Sequence, residues 1–256
     1  MNIGLVRYDT IRKSREKIEK TKRNSYATPL KAIIAGYYIS VGAAASTIAA
    51  STITNYAIAK LVSALIFPIG LILITFVTGE LFTGDCLMID AAIDGKITPI
   101  ETILFLLLVY IGNFAGAIIG MYSIQSIYGA VVIDYAMKIA AAKLAMPAWK
   151  LFISGIFCNI FVCLAVLLAA EVETTVSKTI RIFIPIFTFV ICGFEHSIAD
   201  MFYLLAAMSF STPVPCIVAL NSLKVIGIVT LGNIVGALLL ILILRYLDKA
   251  YEKKFN

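Results

Sequence analysis

The stretch Gly193-Phe194-Glu195-His196-Ser197 decides how this sequence folds, because it places a carboxylate and an imidazole within an apolar segment. Residues 182–194 carry no charge, but they are fewer than the roughly 20 residues that a membrane-spanning helix needs. We therefore expect the helix to break at this stretch and to continue beyond it. His196 is the only histidine of the chain, and ionisable groups at membrane depth are functional by default. The sequence predicts a functional break around His196.

The composition excludes a water-soluble domain. Of the 256 residues, 61% are hydrophobic and 14% are charged, whereas soluble domains carry about 25% charged residues. The five cysteines form no Cys-x-x-Cys pair and lie in or near apolar segments: Cys86, Cys158, Cys163, Cys192 and Cys216. We interpret them as small buried side chains and expect no metal and no cofactor.

Six runs with no charged residue mark the predicted membrane spans. They cover residues 32–54, 61–79, 102–125, 151–170, 182–194 and 225–244. The second run has the same difficulty as the fifth, because Glu80, Asp85 and Asp90 follow it before the chain leaves the apolar region. We expect these two spans to consist of a helix, a break and a half-helix. The sequence thus predicts an all-α membrane protein with six transmembrane helices.

Basic residues predict the orientation of the chain. With both termini in the cytoplasm, 16 Lys and Arg residues lie inside and 5 lie outside, as the positive-inside rule requires. We expect one membrane domain over residues 29–247 in the inner (plasma) membrane, a cytoplasmic arm over 1–28 and a cytoplasmic tail over 248–256. Charges alternate in residues 12–20, which is typical of a surface helix or arm. A solvated tail is the alternative interpretation.

A repeated motif indicates two related halves. Gly112-Asn113-Phe114-Ala115-Gly116 in the third span matches Gly232-Asn233-Ile234-Val235-Gly236 in the sixth, and one proline precedes each break, Pro68 and Pro185. Two halves of three spans must have opposite orientations in the membrane, as in the inverted repeats of many channels and transporters. The alternative is that Gly-x-x-x-Gly serves helix packing alone.

Two breaks in matching places predict a cavity or pore between them. Unwound backbone persists in a membrane only where protein buries it or water lines it. In the first break, predicted at residues 80–85, Leu81 and Phe82 can narrow a passage and Thr83 can offer a hydroxyl. Glu195 and Asp200 would repel an anion, so we expect them to support the second break from outside the path.

The stretches 80–84 and 193–202, together with the two Gly-Asn motifs, resemble the formate/nitrite transporter family. The resemblance covers the chain from about Pro29 to the end of the last span. Within the family, the sequence is similar to the hydrosulfide channels of clostridia. The family implies an aquaporin-like fold and a homopentamer in which every protomer has its own pore. The function it implies is passage of small monovalent anions, with hydrosulfide expected first and formate or nitrite as alternatives.

The resemblance also assigns roles to individual positions. Apolar constrictions fall on Phe67, Leu71, Leu81 and Phe189, next to the Phe82 predicted above. Thr83 and His196 form the central site between them. Asn159 and Val162 line the wall, and Lys143 lies in a vestibule. Asn113 and Asn233 stabilise the breaks. One departure is Asp200, which stands where many relatives have Asn.

Three other functions fit parts of the pattern. A proton-coupled transporter of the same fold is one, and a neutral-solute channel is another, although Asn-Pro-Ala is absent from both breaks. An intramembrane enzyme could use Glu195 and His196 as acid and base. We expect no enzyme activity, because the sequence has no serine–base, cysteine–base or metal-ligand constellation. No nucleic-acid partner is expected, and the absence of a nucleotide-binding motif indicates transport down a gradient.

Overall fold

The computed structural model describes residues 3–211 and 215–255, and all regular structure in this part of the chain is helical. Twelve α-helices follow one another: α1 (Ile3–Arg23), α2 (Ala27–Ala50), α3 (Tyr56–Ile66), α4 (Ile69–Phe76), α5 (Phe82–Asp85), α6 (Ile89–Ile93), α7 (Pro99–Tyr128), α8 (Ala130–Leu144), α9 (Ala148–Ala170), α10 (Thr175–Cys192), α11 (Ser197–Phe210) and α12 (Pro215–Phe255). A short 3-10 turn, Cys86–Met88, joins α5 to α6.

Six segments of the described chain are long and apolar enough to cross a membrane. They are α2, the pair α3–α4, α7, α9, α10 and α12. The second and fifth segments are each followed by short helices, α5–α6 and α11. The predicted all-α class, the six spans and the broken second and fifth helices are therefore confirmed. Helix α8 was not predicted, because Asp134, Lys138 and Lys143 interrupt its apolar residues.

The first break lies earlier than the predicted residues 80–85. Helix α4 ends at Phe76, and α5 already begins at Phe82. Thr78 adopts a φ of 53°, a left-handed conformation that is uncommon for a residue with a Cβ. The prediction was wrong for residues 82–85, which are helical. The helix can start at Phe82 because a side chain of α7 accepts a hydrogen bond from the Phe82 amide.

The second break lies where the sequence placed it. Gly193 ends α10 with a φ of 73°, which glycine adopts without steric cost. Helix α10 begins at Thr175, seven residues before the predicted start at 182, and Thr174 caps it by accepting from the Ser177 amide at 3.2 Å. The sequence prediction began at residue 182 because Lys178 and Arg181 are charged and interrupt the apolar residues before it. The resulting 18 residues still fall at the short end of the spanning range.

Glycines allow the long helices to approach closely in both halves. A Cβ on Gly116 of α7 would lie 2.0 Å from the Ile33 carbonyl oxygen of α2. A Cβ on Gly236 of α12 would lie 2.2 Å from the Ile156 carbonyl oxygen of α9. The glycines of the Gly-x-x-x-Gly motifs therefore serve close helix packing, which was the alternative interpretation. This packing does not explain the two asparagines of the motifs.

The amino-terminal arm forms a helix that is docked on the membrane domain. Arg7 of α1 pairs with Asp90 of α6 at 3.1 Å and with Asp248 of α12 at 2.5 Å. Arg245 of α12 contacts both Asp90 and Asp94. These ion pairs place α1, α6 and the last turns of α12 at one end of the molecule. The helical interpretation of the arm agrees with the structure, although the predicted domain boundaries themselves stay predictions.

Candidate pore between the two helix breaks

Asn113 of α7 holds the first break together. Its Oδ1 accepts a hydrogen bond from the Phe82 amide at 2.9 Å, which satisfies the first amide of α5. Its Nδ2 donates to the carbonyl oxygens of Ala32 at 2.8 Å and Glu80 at 2.9 Å. One buried side chain thus satisfies backbone groups on both sides of the break, where each unpaired group would be costly.

Asn233 of α12 makes the matching set of bonds at the second break. Its Oδ1 accepts from the Ser197 amide at 3.0 Å. Its Nδ2 donates to the carbonyl oxygens of Gly155 at 2.8 Å and Glu195 at 3.1 Å. Both breaks are therefore built in the same way, and the paired Gly-Asn motifs reflect this shared construction. The opposite membrane orientation of the two halves stays a prediction.

His196 joins the two breaks. Its Nδ1 accepts a hydrogen bond from the Ala199 amide at 3.1 Å and so caps α11. Because Nδ1 is an acceptor here, the proton of a neutral ring lies on Nε2. Nε2 lies 2.9 Å from Thr83 Oγ1 of α5, so the ring donates to the threonine oxygen. The Thr83 hydroxyl then keeps its own proton for another acceptor.

One aromatic ring stacks on the imidazole, and a second ring packs behind the first. The Phe189 ring stacks on His196 with centroids 5.9 Å apart, and Phe67 meets Phe189 edge to face at 5.8 Å. Leu71 and Leu81 are buried and line a cavity on the α1 side of the break. The structure therefore brings these four predicted constriction residues near the two breaks.

Phe82 has a different environment. Its ring packs edge to face against Tyr110 of α7, with centroids 4.8 Å apart. The Tyr110 hydroxyl lies 2.9 Å from Thr230 Oγ1 of α12. This contact packs α5 against α7, and a part for Phe82 in the constriction stays a prediction.

The predicted wall residues of α9 are buried beside the second break. The Asn159 Nδ2 donates to the Asn233 carbonyl oxygen at 2.7 Å, whereas its Oδ1 has no hydrogen-bond partner among the described residues. Val162 is also buried. Cys163 contacts the Thr83 carbonyl oxygen through its thiol at 3.5 Å.

Within residues 3–211 and 215–255, no group of three His, Cys, Asp or Glu side chains converges as a metal site would require.

Lys143 of α8 is enclosed by two carboxylates. Its ammonium group lies 2.7 Å from Asp200 and also contacts Glu195. The ammonium group further lies 5.6 Å from the centre of the Tyr203 ring, and the side chain is only 12% exposed. Lys143, which the resemblance assigns to a vestibule, is therefore charge-compensated. Asp200 and Glu195 face this lysine, and their expected role in supporting the break stays a prediction.

Lys17 of α1 makes the same arrangement at the first break, which sequence reasoning missed. Its ammonium group lies 2.6 Å from Glu80 and also contacts Asp85. Burial disfavours the charged form of Lys17, but Asp85 and Glu80 outweigh this effect and raise the pKa of the ammonium group above its usual value. Glu and Asp are five positions apart at both breaks, and this shared spacing was the available signal.

A cavity of about 760 Å³ opens at the α1 end of the first break. We call it the basic cavity, because six cationic residues line it: Lys13, Lys17, Lys20, Arg23, Lys31 and Lys178. Glu16, Glu80 and Asp85 also line it. Lys31 lies on α2 and Lys178 on α10, so the cavity joins both halves of the chain.

Six apolar segments, two of them broken and joined through a buried His–Thr contact, define an integral membrane protein of the transport class. The sequence pattern of the formate/nitrite transporter family matches residues 9–247, and the chain belongs to this family. The resemblance seen in the sequence is thereby confirmed. This is a family of channels and transporters, so the chain is a multi-pass membrane protein of a transporter family.

Individual relatives are similar over most of their length. The formate channel FocA of Haemophilus influenzae is 32% identical over 232 residues, which cover 80% of this chain and 80% of that protein. A probable formate transporter of Methanothermobacter thermautotrophicus is 30% identical over 226 residues, with 79% and 81% covered.

Two solved structures share the fold. An FNT family ion channel matches with a TM-score of 0.80 and 25% identity, covering 90% of this chain and 94% of that one. A pentameric formate channel with formate bound matches with a TM-score of 0.74 and 28% identity, covering 90% and 99%.

Proposed function

We propose that this chain is a channel for small monovalent anions of weak acids, and that the path runs between the two breaks past Thr83 and His196. The observation that carries the proposal is the 2.9 Å contact between His196 Nε2 and Thr83 Oγ1. The Thr83 hydroxyl is thus a polar donor between the two breaks. The rings next to this contact are apolar, since Phe189 stacks on His196 and Phe67 packs against Phe189.

The surroundings explain why such a contact is needed. An anion that enters an apolar constriction loses water, and a bare charge there is expensive. His196 donates to Thr83 Oγ1 and polarises the threonine hydroxyl, which strengthens the hydroxyl as a donor to the anion. Anions of weak acids have a second route, since they can take a proton and cross as the neutral acid. Both routes use the same path and differ in their dependence on pH.

The relatives' names favour formate as a substrate, because FocA of Haemophilus influenzae is a formate channel. Hydrosulfide is the substrate expected from the resemblance to the clostridial branch, and it suits the neutral route because it is readily protonated. Nitrite is the third candidate. A flux comparison of the three anions at several pH values ranks them and separates a channel from a proton-coupled transporter.

The central test is anion uptake into liposomes by the purified protein. His196→Asn and Thr83→Ala should each reduce formate and hydrosulfide flux, because each removes one partner of the central contact. Thr188→Ala is the matched control, since among the described residues the Thr188 hydroxyl of α10 bonds only to the Ile184 carbonyl oxygen of its own helix. Unchanged flux in both central variants would falsify the assigned site.

The assembly and orientation are part of the proposal. We expect a homopentamer with one path in each protomer, supported by the similarity to a pentameric formate channel. We place both termini in the cytoplasm and the protein in the plasma membrane. The basic arm α1, Lys178 and Arg245 all lie at the same end of the molecule, which supports this orientation.

A further inference from the structure

The basic cavity is larger than passage of a small anion requires. Its volume of about 760 Å³ lies within the range of roughly 300–1,000 Å³ that is typical of small-molecule sites. A water molecule occupies about 30 Å³ of liquid, and the anions proposed for the path have only a few atoms. The cavity therefore has room for a ligand that is much larger than the substrate.

The cavity carries positive charge that the protein leaves uncompensated. Lys17 is neutralised by Glu80 and Asp85. Glu16 is shared between Arg12 at 3.0 Å and Lys20 at 3.7 Å. Four other lining cations make no ion pair within the described part of the chain: Lys13, Arg23, Lys31 and Lys178.

These four cations come from three separate elements. Lys13 and Arg23 lie on α1, Lys31 on α2 and Lys178 on α10. A single small anion cannot contact charges that line different walls of such a cavity. A phosphate-bearing polyanion can, because it carries several negative charges, with close to two charges and three acceptor oxygens on each terminal phosphate group. Lysine acts towards phosphate as a point charge, which suits charges that are spread over several walls.

We propose that the basic cavity binds a phosphate-bearing polyanion, and that the bound polyanion closes the α1 end of the path. The ligand stops at the first break for two reasons. Leu71 and Leu81 line the cavity next to the break, and desolvating several charges at once between them is prohibitive. Lys17 also neutralises only one of the two carboxylate charges of Glu80 and Asp85, and the remaining charge repels a polyanion more strongly than a monovalent anion. The closure rests on the proposed function, whereas the binding does not.

Binding is tested first, without any flux. The full-length protein in detergent is titrated with tripolyphosphate in a calorimeter, at low and at physiological ionic strength. We expect saturable binding that weakens with salt. The double variant Lys31→Ala/Lys178→Ala loses two charge-assisted contacts and should bind about tenfold more weakly or worse. Lys31→Arg/Lys178→Arg keeps both charges, so its binding should remain close to that of the parent.

The matched control is Lys96→Ala/Lys249→Ala. It removes two exposed charges from the same end of the molecule, but neither residue lines the cavity. Equal affinity in this control and in the parent protein separates a site from a general effect of surface charge. Absence of saturable binding, or equal weakening in both double variants, overturns the proposal.

Flux then tests the closure. Tripolyphosphate is applied to each face of the membrane in turn, and formate flux should fall only when it faces α1. Vesicles with and without cardiolipin, a lipid whose headgroup carries two phosphates, distinguish the ligand source. A lipid headgroup would lower flux and compete with tripolyphosphate, whereas a soluble polyanion would act equally in both membranes. If tripolyphosphate binds but formate flux does not fall, the proposed closure is wrong. Absence of flux in every condition overturns the proposed function and leaves the calorimetric result standing.

Discussion

Lys17 and Lys143 occupy equivalent positions at the two helix breaks. Each ammonium group contacts the glutamate and the aspartate of a Glu-x-x-x-x-Asp sequence, Glu80 with Asp85 in one case and Glu195 with Asp200 in the other. The lysines come from α1 and α8, the helices that precede the first span of each half. The equivalence of the halves thus extends beyond the three spans that the sequence motif indicated.

Loss of the Lys143 charge should destabilise the fold strongly. Lys143→Met leaves Glu195 and Asp200 buried beside an apolar side chain, and breaking a buried ion pair costs about 3–5 kcal/mol. Lys143→Met/Glu195→Gln/Asp200→Asn removes all three charges and should recover most of that loss. Denaturant unfolding in detergent measures both variants. A triple variant that is no more stable than the single one would contradict the charge argument.

The equivalent change at the first break should be milder. The Lys17 side chain is 34% exposed, compared with 12% for Lys143, so water already weakens the attraction between the Lys17 ammonium group and the two carboxylates that Lys17→Met removes. We expect a loss of about 1–2 kcal/mol. The same unfolding experiment compares the two methionine variants. Equal losses would show that exposure does not control the strength of these clusters.

Asn113 and Asn233 should each be needed for a stable break. Alanine at either position removes three hydrogen bonds between the asparagine side chain and buried backbone groups. At about 1 kcal/mol each, the loss is about 3 kcal/mol, and anion flux should fall with it. Asn55→Ala is the control, since Asn55 caps α3 at an exposed position and its loss costs about 1 kcal/mol. Similar unfolding curves for Asn55→Ala and Asn233→Ala would argue against this role.

Two glycines of α12 should respond in opposite ways to alanine. Gly236→Ala places a methyl group 2.2 Å from the Ile156 carbonyl oxygen, and the overpacking should cost about 1–3 kcal/mol. A Cβ added to Gly227 would have no neighbour within 4 Å in the part of the chain that the structure describes. Gly227→Ala should therefore be neutral or stabilise by up to about 1 kcal/mol through helix propensity. Thermal unfolding of the two variants makes the comparison, and a loss in both would contradict it.

The docking of α1 should depend on Asp90. Asp90→Asn weakens the ion pairs with Arg7 and Arg245, so α1 should dissociate more often and trypsin should cleave it about tenfold faster or more. Glu19→Gln serves as the control, because the one ion pair of Glu19 within residues 3–211 and 215–255 is with the exposed Arg15 of the same helix. Equal cleavage rates in the two variants would show that the ion pairs do not hold α1.

The fold was predictable mainly because the membrane restricts what the chain can do. Charge-free runs identified the six spans, and the position of His196 identified a break that only a buried or water-lined setting could satisfy. The Gly-Asn repeat indicated which helices would support the breaks. These signals are local, since each can be read from a few neighbouring residues.

Features that depend on contacts between residues far apart in the sequence could not be predicted from it. Helix α8 was missed because its charged residues resemble those of a loop until Lys143 is seen to be enclosed by Glu195 and Asp200. The first break was placed too late, because the Phe82 amide is satisfied by a side chain 31 positions away. The role of Lys17 depends on a contact 68 positions along the chain, with Asp85.

The position of Asn233 has a consequence for biosynthesis. The second break needs this side chain for the Ser197 amide and the Glu195 carbonyl oxygen, and Asn233 lies on α12, which is synthesised after the other described helices. Asn113 serves the first break in the same way from α7. Each half can therefore close only when its final helix has entered the membrane. Nascent chains that end before residue 233 should carry a finished first half and an open second one, which makes them natural targets for membrane quality control.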